Sequence, residues 1–102
     1  MAEQQAIDSA QSYLAMGQGF SKAGLYQQLT SSAGEGFSHK LARFALAHIH
    51  VNWMHQAVLS ARGYVQMGGF SYNSLVQQLH SSAGEGFTYA QAVHGATVAL
   101  KG

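Results

Sequence analysis

The heptapeptide SSAGEGF stands at residues 31–37 and again, unchanged, at residues 81–87. Outward from it the two copies keep agreeing. Phe20 and Ser21 return as Phe70 and Ser71, and Leu25, Gln27, Gln28 and Leu29 return as Leu75, Gln77, Gln78 and Leu79. Further upstream the offset grows by one residue: Ala6, Ser9, Ala10, Tyr13 and Met16 answer to Ala57, Ser60, Ala61, Tyr64 and Met67. The extra residue falls in the glycine turn 17–19, whose copy is Gly68 and Gly69. Surface turns absorb such a change readily, so both glycine turns, and both AGEG turns, are expected to be exposed. A period of about fifty residues is in the range of helical repeat arrays.

Each copy reads as three helices. The first is expected over 3–16, where Ala6, Ala10 and Tyr13 fall at i, i+4 and i+7. Ser21 is a good N-cap for the second, and Phe20 before it faces Leu25 as a hydrophobic staple. Phe70, Ser71 and Leu75 reproduce that arrangement. The AGEG turn ends the second helix, since glycine accepts the positive φ of a helix stop. Phe37 and Ser38 open a third helix, expected over 40–49, and Phe87 and Thr88 open its copy. Asn52 caps a fourth that starts at Trp53 and carries the stripe Trp53, Ala57, Ala61, Tyr64. The chain has no proline to break these helices, and no stretch alternates with period two for long enough to be a strand.

The expected fold is therefore all-α. Two tandem three-helix, helix-turn-helix-like repeats, 1–51 and 52–102, pack into one compact six-helix domain and fold as a joint unit. The expected core is Tyr13, Leu14, Leu25, Leu29, Phe37, Leu41, Ile49, Trp53, Tyr64, Leu75, Leu79 and Phe87. The third helix is apolar nearly all round and reads as a central buried element; alternatively, Phe44 and Met54 line a ligand pocket or an oligomer interface such as that of a dimer.

Composition narrows the function. Apolar residues make up 47% of the 102 residues, enough for a packed interior. Charged residues are 9%, against about 25% in an ordinary soluble domain. The net charge is +1, and Lys22, Lys40, Arg43, Arg62 and Lys101 read as scattered, which argues against nucleic acid as a partner. Without cysteine there is no disulfide, thiolate metal site or cysteine nucleophile. The first ten residues are polar and lack the features of a leader. The most apolar stretch, 41–51, is too short to span a bilayer, so the chain as it stands reads as soluble, with no membrane insertion.

Histidine is the enriched chemistry-bearing residue: His39, His48, His50, His55, His80 and His94. Their plainest reading is half-exposed polar positions. His48, His50 and His55 cluster between the repeats as weak metal-ligand candidates, but no pair has the i, i+4 spacing of a helical two-histidine site and no HExxH motif exists. No cofactor is expected; a metal or haem is the minor reading. Glu35 and Glu85 read as surface residues in their turns. Comparison of the copies suggests a binding surface, because a scaffold needs its copies alike and a single site needs them to differ. Thr30 stands against His80, Phe44 against His94, and His48 against Val98. The surface is accordingly expected around Phe44, His48, Met54, His55, His80 and His94. Enzymatic activity is not favoured; were there any, a neutral imidazole at His55 or His94 would act as general base.

The pattern A-x3-A-x2-Y-L, F-S-x3-L-x2-Q-L-x-S, G-x-G-F-[ST] resembles the host-cell surface-exposed lipoprotein (Ltp) repeats. Here it stands as Ala6, Ala10, Tyr13, Leu14, Phe20, Ser21, Leu25, Gln28, Leu29, Ser31, Gly34, Gly36 and Phe37, with His48, Ile49, Val51, Asn52 and Trp53 resembling the junction between tandem repeats. The resemblance implies a compact pair of helical repeats. It also implies phage superinfection exclusion: a lipid-anchored protein on the extracytoplasmic face of the membrane binds phage injection machinery, such as a tape-measure protein, and blocks DNA injection. The alternative is an Ltp-type helical scaffold, divergent or engineered, with an apolar, histidine-containing pocket for ligand binding, metal binding or catalysis.

Overall fold

The computed structural model describes residues 1–101. Six helices follow one another: α1 (Ala2–Ala15), α2 (Lys22–Thr30), α3 (His39–Ala47), α4 (Trp53–Met67), α5 (Tyr72–His80) and α6 (Tyr89–Lys101). No strand occurs among the described residues, and the fold is all-α. The helix starts are where the side chains place them. Ser21, Ser38, Asn52 and Ser71 each accept a backbone N–H from the first turn of the helix they precede. Thr88 and Gln91 cap α6 reciprocally: Thr88 N–H donates to Gln91 Oε1 at 3.0 Å and Gln91 N–H to Thr88 Oγ1 at 3.2 Å. The third helix stops earlier than expected, at Ala47, while its copy α6 runs on to Lys101. The chain must leave α3 in time for Asn52 to start α4.

Two core clusters form, one per repeat. Leu25 and Leu29 meet Ala10, Ala42 and Leu46 in the first; Leu75, Leu79 and Phe87 meet Ala57, Ala61, Ala92, Ala96 and Ala99 in the second. Helix–helix packing of any extent lies within a repeat, so α3 rests on α1 and α2 and is not a central element of the whole. Of the expected core, Leu25, Leu29, Leu75, Leu79 and Phe87 are fully buried. Tyr13, Leu14, Phe37, Leu41, Ile49, Trp53 and Tyr64 are only half-buried. Alanine takes the innermost places instead, because short side chains let helix backbones approach. In α6 Gly95 goes further: a Cβ there would stand 2.6 Å from the carbonyl oxygen of Ala57 in α4.

A polar clasp, built identically in both repeats, ties each first helix to its AGEG turn. Tyr13 Oη–H donates to Glu35 Oε2 at 2.8 Å and accepts from Gln28 Nε2 at 3.3 Å. Tyr64 donates to Glu85 Oε2 at 2.6 Å and accepts from Gln78 Nε2 at 3.2 Å. The two carboxylates are thus acceptors in the fold rather than idle surface charges. Gly34 and Gly84 allow the turn to lie on Gln28 and Gln78, whose backbone carbonyls a Cβ would strike. The hydrogen bond to Glu35 raises the Tyr13 pKa, and burial followed by the bond to Glu85 raises that of Tyr64, above the ordinary 10.0. A raised folded-state pKa means that the folded protein holds its proton longer than the unfolded chain. The clasp's contribution is therefore complete below pH 10.0 and declines as pH rises beyond it. Melting temperature should fall above that pH, and the fall should flatten in the Tyr13→Phe, Tyr64→Phe double variant; equal slopes in both proteins would contradict the clasp.

Between the repeats runs a seam of small and polar groups. Gly19 is buried there, unlike its exposed copy Gly69, and a Cβ on it would lie 2.9 Å from the Cα of Ser60. The expectation of an exposed turn fails at this residue because the first glycine turn lies on α4. Phe20 N–H donates to the side chain of buried Gln56 at 3.0 Å, and Ser21 Oγ donates to the carbonyl of Glu85. The second AGEG turn is correspondingly half-buried at Glu85 and Gly86, whereas Glu35 and Gly36 in the first are exposed. On the far side of the second repeat, Asn73 and Ser74 replace the small Ala23 and Gly24 of the seam, and Ser74 closes a capping box with Ser71.

Candidate functional site

The six side chains expected to form one surface are not gathered into one hollow. Phe44 and His48 stack at the end of α3, ring centroids 4.0 Å apart, and His48 Nδ1–H donates to the Phe44 carbonyl at 2.8 Å. Phe44 also lines a small hollow beside Met1, Glu3, Gln4 and Ile7. Met54 and His55 are exposed on the first turn of α4, and His94 is exposed on α6. His80 Nδ1–H donates to the Phe87 carbonyl at 2.9 Å, and its ring meets Tyr89 edge-on. The candidate metal set His48, His50 and His55 is not assembled: no three His, Asp or Glu side chains are placed to hold a metal ion among the described residues. For His48 the cause is local, since its Nδ1 is turned back to the carbonyl one helical turn behind it.

The larger hollows lie instead on the seam. One, of about 680 Å³, is walled by Lys22, Ala23 and Tyr26 of α2, Arg43, Leu46 and Ala47 of α3, Trp53 at the start of α4, and Gly86, Thr88 and Gln91 of the second repeat. A second, of about 620 Å³, adjoins it and shares Ala23, Tyr26, Gly86 and Thr88. His39 and His80 both line this second hollow, where His39 Nδ1 is hydrogen-bonded to Tyr26 Oη. The local reasons are plain. Lys22 and Tyr26 are one turn apart on α2 and so share a face. Arg43, Leu46 and Ala47 repeat that spacing on α3. Trp53 follows directly from the Asn52 cap, which sets the direction of α4.

Charge is unevenly distributed in this groove. Two of the five Lys and Arg residues, Lys22 and Arg43, wall the first hollow, which no carboxylate lines. One acid, Glu85, lines the second hollow, and its Oε2 is engaged by Tyr64. Both α2 and α6 begin at the groove, so their N-terminal partial positive charges add to the same potential.

Sequence reasoning missed Lys22, Tyr26, Arg43 and Trp53 as a set. A signal existed in the comparison of the copies, in which Lys22 stands against Tyr72, Tyr26 against Val76 and Arg43 against Val93. The copies agree in the clasp, in the caps Ser21 and Ser71, and in Leu25 and Leu29 against Leu75 and Leu79; within α2 and α5 their differences fall largely on the walls of the seam groove, and α3 differs from α6 along most of its length.

The architecture defines a class: an all-α tandem-repeat protein with a cationic, aromatic groove between its repeats. Among protein families, the model of the host cell surface-exposed lipoprotein (Ltp) matches residues 2–49 and again 52–96. The chain belongs to this family. No curated protein and no solved structure matches it. No helix of the described residues is long and apolar enough to cross a membrane.

Proposed function

We infer that the protein works as a superinfection-exclusion protein of the Ltp type, held by a lipid anchor outside the membrane, where it binds a component of an incoming phage's injection machinery and stops DNA delivery. The observation that carries this reading is the match of the family model to both repeats, which covers nearly the whole chain. The groove supports it from the physical side. It is assembled from both repeats, is open to solvent, and its charged and aromatic walls come mainly from one copy. Such a surface suits recognition of another macromolecule rather than repetition of the scaffold.

The test is expression of the chain, lipid-anchored on the outer face of a phage-sensitive Gram-positive host. Phage adsorption should be unchanged while delivery of phage DNA to the cytoplasm falls. Undiminished delivery at full surface display would contradict the reading.

A further inference from the structure

We propose that the seam groove binds an acidic, extended protein segment, with Lys22 and Arg43 pairing to its carboxylates and Tyr26 and Trp53 packing on the chain between them. As a statement about the partner it rests on the exclusion reading; as a statement about binding chemistry it stands alone. The argument is charge complementarity within a defined shape. Lys22 and Arg43 face the same hollow from different helices, and no carboxylate lines that hollow. A guanidinium offers a planar, two-pronged donor that matches a carboxylate, and Lys22 adds a mobile point charge beside it. Tyr26, Trp53 and Leu46 supply apolar wall in the same hollow as the two cations. An extended segment fits such a mixed wall, because its side chains point to both sides and can reach charge and apolar surface together. The adjoining hollow offers continuation past Thr88 toward His39 and His80.

Nucleic acid is the competing polyanion. Its backbone needs a track of cations, with affinity set by the number of phosphates neutralised. The remaining cations, Lys40, Arg62 and Lys101, line neither hollow, so the groove offers two positive side chains and no track. The copies add an independent observation. In the second repeat Tyr72, Val76 and Val93 occupy the positions of Lys22, Tyr26 and Arg43, so the cationic pair belongs to the groove and not to the repeat.

Trp53 is the chain's one tryptophan and lines the hollow, so its fluorescence reports occupancy directly. The full chain is titrated with a short Glu/Ala peptide, a Lys/Ala peptide of the same length, and a thymidine oligonucleotide. The acidic peptide should change Trp53 emission saturably and bind more weakly as salt is raised. The Lys22→Gln, Arg43→Gln pair, two exposed positions outside both cores, should bind it about tenfold more weakly with unchanged melting temperature. An emission change with the oligonucleotide alone, none with the acidic peptide, or equal affinity in wild type and the double variant would overturn the proposal. No phage enters this titration. Loss of exclusion in the host with peptide binding intact would refute the exclusion reading alone, and the converse would refute only the groove's preference.

Discussion

Leu79→Ala should destabilise the protein by about 2–5 kcal/mol, and Leu29→Ala by a similar amount. Both leucines are completely buried, each at the centre of its own repeat's cluster. Truncation removes apolar contact and leaves a cavity that the surrounding alanines are too short to fill. A domain of this size has about 5–15 kcal/mol in total, so either change is a large fraction of it. Because the helices pack within repeats and meet across a thin seam, hydrogen exchange should rise first in α1–α3 for Leu29→Ala and in α4–α6 for Leu79→Ala. If neither substitution moved the melting temperature, the core assignment would be wrong.

The second large effect is at the seam. Gly19 and Gly69 occupy equivalent turns with nearly the same φ, 86° and 84°. An alanine at Gly69 meets nothing within 4 Å, so it should cost only the left-handed conformation, about 1–2 kcal/mol. An alanine at Gly19 adds a collision with the backbone of α4 at Gln56 and Ser60, bringing the total to about 2–5 kcal/mol. The difference between the two variants, read from denaturant unfolding, measures how tightly the repeats are sealed. Equal costs would mean that the seam is not closed in solution.

The fold was legible because its determinants are local. Ser21, Asn52 and the staple formed by Phe20 and Leu25 act over a few residues, and Ser71, Phe70 and Leu75 repeat the first cap and the staple in the second copy. What the sequence concealed is non-local. Tyr13 and Glu35 are 22 residues apart and Tyr64 and Glu85 are 21 apart, so neither clasp shows as a spacing motif, although every member is repeated. Phe37 and Phe87 share the same heptapeptide, yet only Phe87 is fully buried, since the second copy of the turn lies against the first repeat. Leu14, Leu41 and Ile49 are large enough to suggest core positions, yet they are half-buried, because close helix approach favours Ala6, Ala45 and Ala57 at the contacts.

The candidate site was harder to read for the same reason. Histidines attract attention as chemical residues, but His55 and His94 project from separate helices, and their exposure follows from helix faces that pack on nothing. Lys22, Arg43 and Trp53 are spread over three helices and converge only when the second repeat closes on the first. On the seam faces of α2 and α3 the copies differ at Lys22, Tyr26 and Arg43, which stand against Tyr72, Val76 and Val93.

The most direct test of the seam groove as the functional surface is DNA delivery by an infecting phage in a host displaying the anchored wild-type chain, beside one displaying Lys22→Gln, Arg43→Gln at equal surface density. The account predicts that wild type blocks delivery and that the double variant, with unaltered melting temperature, restores most of it. A double variant that blocks delivery as well as wild type would contradict it.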